Sequence, residues 1–214
     1  MYKLIVFDLD GTLLDTLDDL TDAVNFALQK NGLPLRTREE VRSFVGNGIA
    51  KLVQRAIGTD NAGLQEQALA DFKAYYAENC KVKTKAYDGI STLLSVLSEQ
   101  GIKTAVLSNK ADFAVKMLAK EYFPNAFFTA QGENEQAGIR KKPAPDALFA
   151  IMDKADVTPA QTLYVGDSEV DIQTANNAGV ECISVTWGFK EESFLRENGA
   201  TKIIRTPEEI VELI

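Results

Sequence analysis

Histidine is absent from all 214 residues of the chain, and this absence excludes several kinds of active site. Serine–histidine and cysteine–histidine pairs, in which an imidazole activates the nucleophile, cannot form. A general acid or base that works near neutral pH must therefore be a carboxylate, a lysine, a tyrosine or a cysteine. Because the chain carries 31 aspartates and glutamates, carboxylates are the leading candidates.

Cysteine and positive charge are also scarce. Only Cys80 and Cys182 occur, without neighbours at the spacing of metal ligands, so we expect buried free thiols and no disulfide or zinc framework. The net charge is -8, and no basic run exceeds Arg140–Lys142, which argues against affinity for nucleic acid or acidic membranes. Apolar runs are too short to span a membrane, and a signal-peptide pattern is missing. We expect a soluble, cytoplasmic protein, monomeric or weakly dimeric.

The apolar pattern predicts an α/β core interrupted by a helical insertion. After a first strand, four helical patterns follow: residues 17–28, a capping box at Thr37 and Glu40, residues 49–57 and residues 64–76. From residue 88, helices and strands alternate, which predicts a parallel sheet covered on both faces. The predicted core comprises residues 1–14 and 85–214, and the all-helical insertion comprises residues 15–84.

The alternating part gives a definite set of elements. The predicted strands are residues 103–107, 126–130, 162–165, 181–185 and 202–204, and the predicted helices are residues 88–100, 111–121, 145–154, 170–178 and 207–213. Parallel sheets bind ligands beyond the carboxyl ends of their strands. That rule selects four stretches, which are residues 8–12, residues 108–110, Lys142 and residues 166–171.

Acidic residues dominate this edge of the predicted sheet. Asp8 and Asp10 flank Leu9 directly after the first strand, so their side chains point to one side, about 7 Å apart, and repel each other. Asp167 follows another strand and faces the same edge. Three carboxylates at one edge predict a hard divalent cation, and Mg²⁺ suits such a site. Asp171 lies four residues further on, where capping of the following helix is an alternative role.

Two other residues have a functional and an ordinary interpretation. Lys142 places an ammonium on an acidic edge, and Pro143 and Pro145 stiffen its approach to a helix, although a solvated surface lysine is the alternative. Ser108 follows a strand, where it could instead cap the next helix.

These stretches carry a resemblance to a family. The segments "DLDGT", "LSNK", "KPAPD" and "GDSEVD", in this order and covering essentially the whole chain, resemble the haloacid dehalogenase superfamily and its phosphoglycolate phosphatase-like branch. The resemblance implies a Rossmann-like core with a helical cap. It also implies a magnesium-dependent phosphatase that hydrolyses a small phosphate monoester, such as 2-phosphoglycolate, through an aspartyl-phosphate.

The resemblance also assigns residue roles. Asp8 resembles the nucleophile and Asp10 the acid and base; Mg²⁺ would be held by the Asp8 carboxylate, the Asp10 carbonyl and Asp167, with Asp171 supporting the metal or Lys142. Ser108, Lys142 and the backbone amides near Gly11 and Asn109 would contact the phosphoryl group. The insertion resembles a mobile cap, whose loop Gly46–Asn47–Gly48 either approaches the substrate or forms an ordinary turn. Arg42, Lys51 and Arg55 are candidate substrate contacts or solvated helix residues.

Several other functions share this core. A pyrophosphatase and a sugar-phosphate phosphatase remain alternatives. A phosphomutase is disfavoured because its cap histidine is absent, and a haloalkanoate dehalogenase is disfavoured by Asp10. A regulatory phosphoacceptor is the alternative outside enzymes, and it would have no need of Asp10 as an acid and base.

Overall fold

Residues 1–134 and 138–214 are described by a computed structural model of the chain. They divide into a core unit, Met1–Leu14 with Ala86–Ile214, and a helical unit, Asp15–Lys85. Two short strands, β2 (Leu14–Asp15) and β3 (Lys85–Ala86), lie where the chain passes from one unit to the other.

The helical unit contains four helices: α1 (Leu17–Lys30), α2 (Arg38–Phe44), α3 (Ile49–Ile57) and α4 (Ala62–Asn79). The predicted capping box is confirmed, because the Glu40 amide donates to the Thr37 hydroxyl and the Glu40 carboxylate accepts from the Thr37 amide. Asp19 is buried in this unit and accepts hydrogen bonds from the backbone amides of Lys83 and Thr84. The two ends of the helical unit are therefore joined to each other.

A six-stranded parallel sheet forms the centre of the core unit, in the order β5-β4-β1-β6-β7-β8. Its strands are β1 (Leu4–Phe7), β4 (Lys103–Ala111), β5 (Thr129–Glu133), β6 (Thr162–Gly166), β7 (Glu181–Val185) and β8 (Lys202–Ile204). Its helices are α5 (Ile90–Glu99), α6 (Asp112–Tyr122), α7 (Asp146–Ala155), α8 (Glu169–Ala178), α9 (Glu192–Glu197) and α10 (Glu209–Leu213).

Strand β1 shows why both faces of the sheet are covered. Side chains alternate along a strand, so Ile5 and Phe7 pack with apolar residues of α5, α6 and α10, whereas Leu4 and Val6 pack with those of α7 and α8. All four side chains are fully buried. The prediction of a parallel sheet with helices on both faces is confirmed.

Three details of the predicted core were wrong. The strand predicted at residues 126–130 is β5, which begins at Thr129, because Phe127 packs edge-on against Phe123 before the strand pairs with β4. The strand predicted to end at Leu107 continues to Ala111 through an irregularity in its pairing. Helix α9 was not predicted.

Cys80 and Cys182 are free thiols, as predicted, with Cys80 buried and Cys182 half-buried. Among the helices of the described ranges, none combines the length and the apolar content that a membrane crossing requires.

Candidate active site

Strand β1 delivers Asp8 to the carboxyl edge of the sheet. The Asp8 amide still donates to the Val165 carbonyl of β6, at 2.9 Å, so the backbone is held in place one residue beyond the strand. Immediately afterwards the chain turns sharply, because the Leu9 carbonyl accepts from the amides of Thr12, Leu13 and Leu14. The turn places Gly11 at a φ of 82°, which favours glycine.

Lys142 approaches Asp8 and Asp171 at once. Its Nζ lies 3.0 Å from Asp8 Oδ1 and 2.7 Å from Asp171 Oδ1. The lysine is 4 % exposed and therefore is not the solvated surface lysine of the alternative interpretation. Burial alone would lower the pKa of Lys142, but Asp171 and Asp8 outweigh burial and raise it well above its usual value, so the side chain is an ammonium.

Asn109 holds the backbone of Lys142. The Asn109 side-chain amide donates to the Lys142 carbonyl at 3.0 Å, and its Oδ1 accepts from the Lys142 amide at 2.9 Å. From α8, Asn177 donates to the carbonyl of Pro143 at 2.9 Å. The predicted contact of Asn109 was between its backbone amide and the phosphoryl group, whereas the contacts with Lys142 are made by its side chain.

Asp171 combines both roles that the sequence left open. Its Oδ2 accepts from the amide and the hydroxyl of Ser168 in a capping box at the start of α8, at 3.1 and 2.6 Å, while its Oδ1 faces Lys142. The carboxylate also lies against Gly166, where an added Cβ would come within 2.3 Å of Asp171 Cγ. The absence of a side chain at Gly166 is therefore a requirement of this arrangement.

Asp167 lies between two glycines. An added Cβ would come within 2.2 Å of Asp167 Oδ2 at Gly11 and within 2.5 Å of the same oxygen at Gly188. The Phe189 amide donates to this oxygen at 2.6 Å. Burial, together with the charges of Asp171 and Asp8, raises the pKa of Asp167 well above its usual range.

Lys110 is a site residue to which the sequence analysis assigned no role. Its Nζ lies 2.8 Å from Asp10 Oδ1, and the lysine is 4 % exposed. The irregular end of β4 carries it there, and Gly132 of β5 permits the close packing, since an added Cβ would lie 2.5 Å from the Lys110 carbonyl. The stretch "SNK" was selected by its place after a strand, but nothing in its pattern separated Lys110 from a surface lysine.

Ser108 is buried at the same strand end, and its hydroxyl faces the Lys110 amide at 3.4 Å. Helix α6 begins at Asp112 after Ala111, so Ser108 does not have the alternative role of helix cap.

The acidic groups carry more negative charge than the two lysines balance. When Asp8, Asp10, Asp167 and Asp171 are all ionised, their four negative charges exceed the two positive charges of Lys110 and Lys142 by two. Burial is the main cause that raises the pKa of Asp8, and Lys142 opposes it. The charges of Asp171 and Asp10 raise this pKa further, and the net value is about 7. One divalent cation would compensate this excess.

The geometry fits such a cation. Oxygen atoms of Asp8, Asp167 and Asp171 lie within 4.8 Å of one another, close enough to share a small ion. Both oxygens of Asp171 already accept from Lys142 and Ser168, so Asp8 and Asp167 are the better placed ligands. Hard oxygen donors of this kind suit Mg²⁺.

The predicted cap loop belongs to the helical unit. Arg55 braces it, donating to the Phe44 carbonyl at 2.8 Å and to Asn47 Oδ1 at 2.6 Å. Gly46 and Gly48 have φ values of 124° and 84°, and α3 starts after Gly48. The other two candidate cations also contact neighbours in their own unit: Arg42 pairs with Glu39, and Lys51 donates to Gln54.

Known proteins share the sequence and the fold of this chain. A model of the haloacid dehalogenase-like hydrolase family matches residues 5–185. The phosphoglycolate phosphatase of Pseudomonas putida is 42 % identical over 194 residues, which cover 87 % of this chain and 70 % of that protein. That of Aliivibrio fischeri is 36 % identical over 195 residues, covering 87 % of this chain and 85 % of the relative.

Solved structures extend the similarity to the whole chain. A crystal structure from Lactobacillus delbrueckii subsp. bulgaricus superimposes with a TM-score of 0.93 at 39 % identity, covering 100 % of this chain and 98 % of that one. A predicted phosphoglycolate phosphatase from Haemophilus somnus gives a TM-score of 0.91 at 29 % identity, covering 99 % and 97 %. Together with the curated relatives, these matches identify a phosphatase that acts on phosphoric monoesters. The chain therefore belongs to the haloacid dehalogenase-like hydrolase family, in its phosphoglycolate phosphatase-like branch.

Proposed function

We propose that the protein is a magnesium-dependent phosphatase that hydrolyses 2-phosphoglycolate or a similarly small phosphate monoester through an aspartyl-phosphate on Asp8. The observation that carries this proposal is the position of Asp8, which is buried beside Lys142 at 3.0 Å and beside the acidic cluster. The names of the curated relatives support 2-phosphoglycolate as the first substrate to test.

The first step transfers the phosphoryl group to the protein. A carboxylate oxygen of Asp8 attacks phosphorus, and the bond between phosphorus and the ester oxygen breaks. For this step Asp10 must be protonated in the substrate complex, and it donates that proton to the leaving alcohol. Lys142 stabilises the charge that develops on the phosphoryl oxygens, together with Ser108 and the backbone amides near Gly11 and Asn109. Lys110, 2.8 Å from Asp10, holds the Asp10 carboxylate in place.

The second step releases phosphate. Asp10, now ionised, takes a proton from a water molecule, whose oxygen attacks phosphorus and frees the Asp8 carboxylate. Asp8, the Asp10 carbonyl and Asp167 would hold Mg²⁺, whose charge would reduce the repulsion of the nucleophile and the phosphate dianion. The helical unit would serve as the cap that selects the alcohol part of the substrate.

Two substitutions and a substrate panel test the proposal. We expect Asp8→Asn and Asp10→Asn each to lose nearly all Mg²⁺-dependent activity while the protein stays folded. Asp153→Asn, on the exposed surface of α7, is the control and should keep full activity. In a panel of phosphorylated metabolites, pyrophosphate and sugar phosphates, we expect 2-phosphoglycolate to give the highest kcat/KM. Near-normal turnover by Asp10→Asn would remove Asp10 from the acid–base role.

A further inference from the structure

Tyr164 is fully buried, and its hydroxyl lies inside the candidate site but has no role in the proposed mechanism. It lies on β6, two residues before Gly166, and its exposed fraction is 0 %. In sequence it occupies one position of an apolar strand, "TLYVG", where an aromatic residue would ordinarily serve packing alone. Its ring does pack among buried apolar residues, but its hydroxyl reaches three polar partners.

The three partners belong to three different segments of the site, which are the loop before α7, the helix α8 and the strand β4. The Tyr164 hydroxyl oxygen lies 3.1 Å from Lys142 Nζ, 3.2 Å from Asp171 Oδ1 and 3.2 Å from the carbonyl of Leu107. Leu107 directly precedes Ser108. The hydroxyl therefore connects the lysine, the capping aspartate and the strand end that presents the serine.

The hydrogen atoms at this point allow a consistent assignment. The Lys142 ammonium has three hydrogens, and Asp8, Asp171 and Tyr164 offer three acceptors within 3.1 Å. The Tyr164 oxygen accepts one of them, and its single hydrogen is then donated to Leu107 or Asp171. Of the three acceptors, Asp8 becomes the phosphoryl carrier, whereas Asp171 and Tyr164 take no part in bond formation and remain to hold the ammonium.

We propose that Tyr164 is a positioning residue that fixes the Lys142 ammonium for stabilisation of the transition state. This inference rests on the proposed function, in which Lys142 contacts the phosphoryl group. An ammonium held by two fixed acceptors is already oriented when charge develops on the phosphoryl oxygens. Without the hydroxyl, Lys142 keeps Asp171 alone as a fixed partner, so the loss falls on the transition state more than on substrate binding.

Tyr164→Phe tests this role, because it removes the hydroxyl and keeps the ring. With p-nitrophenyl phosphate and saturating Mg²⁺, we expect kcat to fall about tenfold, the loss of roughly one hydrogen bond to a charged group, while KM stays within about twofold. The inhibition constant of orthovanadate, which mimics the transition state, should rise by a similar factor. The inhibition constant of inorganic phosphate should stay within about twofold.

Two further variants make the outcomes distinct. Tyr2→Phe also removes the hydroxyl contact of a tyrosine. Tyr2 is half-buried and contacts Glu181 at the amino ends of the strands, so this variant should leave every constant unchanged. Circular dichroism and the melting temperature establish that the variants are folded. If kcat is unchanged in Tyr164→Phe, or if vanadate and phosphate weaken equally, Tyr164 does not position Lys142. If Lys142→Met retains wild-type activity, the proposed function itself fails at this residue.

Discussion

Lys110, which is buried, and Asp10, which is half-buried, form an ion pair with Nζ 2.8 Å from Oδ1, beside the pair that Lys142 makes with Asp8 at 3.0 Å. Each aspartate of the first motif thus has its own lysine. The two lysines come from different segments, one at the irregular end of β4 and one in the loop before α7. This arrangement separates the proposed nucleophile from the proposed acid and base, because each carboxylate is oriented independently.

Removal of the Lys110 ammonium should impair catalysis. We expect Lys110→Met to lower kcat for 2-phosphoglycolate at least tenfold, because the half-buried carboxylate of Asp10 loses its oriented partner. The measurement is steady-state kinetics at saturating Mg²⁺. Lys116→Met is the matched control, since Lys116 also pairs with an aspartate, Asp112 at 2.6 Å, but is 63 % exposed in its side chain. Equal kinetics for the two variants would contradict a role for Lys110.

A side chain at residue 166 should displace Asp171 and so disturb the candidate site. In Gly166→Ala the added Cβ would overlap Asp171, so the carboxylate must move away from Lys142. We expect a loss of about 1–3 kcal/mol in the free energy of unfolding and more than tenfold in kcat/KM. Gly63→Ala, where the nearest heavy atom lies 3.7 Å from the added Cβ, should change neither by much. Denaturant unfolding and kinetics on both variants decide the matter.

The metal-free protein should become less stable as the pH rises towards neutrality. The pKa of Asp8 is about 7 in the folded protein and about 3.9 when unfolded, so between these values the folded state binds more protons. The free energy of unfolding therefore falls as pH rises through this interval, and the raised pKa of Asp167 acts in the same direction. Because no histidine titrates, the range from about pH 5.5 to 7.5 reports largely on these carboxylates.

Thermal melts with and without metal measure this effect. In EDTA we expect the melting temperature to fall between about pH 5.5 and 7.5, and saturating Mg²⁺ should raise it more at the higher pH. Asp8→Asn cannot ionise and should show a shallower fall. A melting temperature that rises over this range in EDTA would contradict the raised pKa values of these carboxylates. A melting temperature that does not change when Mg²⁺ is added would contradict the metal site.

The sequence predicted those parts of the structure that have a local signature. Alternating elements predicted the parallel sheet, and the positions of Asp8 and Asp167 after apolar strands predicted that both carboxylates lie at one edge of it. Each of these residues directly follows a run of fully buried positions, so its location at the end of a strand could be deduced.

Lys110 and Tyr164 could not be found in this way. A lysine after a strand is most often solvated, and only the irregular pairing of β4 with β5 turns Lys110 towards Asp10. Tyr164 satisfies the apolar pattern of β6, so its hydroxyl contacts with Lys142 and Asp171 leave no trace in periodicity. Both depend on packing between segments that are far apart in the chain.

Chemical trapping of the phosphorylated residue tests the central claim most directly. Borohydride reduces an acyl phosphate to an alcohol, so enzyme quenched during turnover and then reduced should contain homoserine at position 8, identified by mass spectrometry of its peptides. We predict this conversion only when substrate and Mg²⁺ are both present, and not in Asp8→Asn. Reduction at another residue, or no modified residue during full turnover, would contradict an aspartyl-phosphate on Asp8.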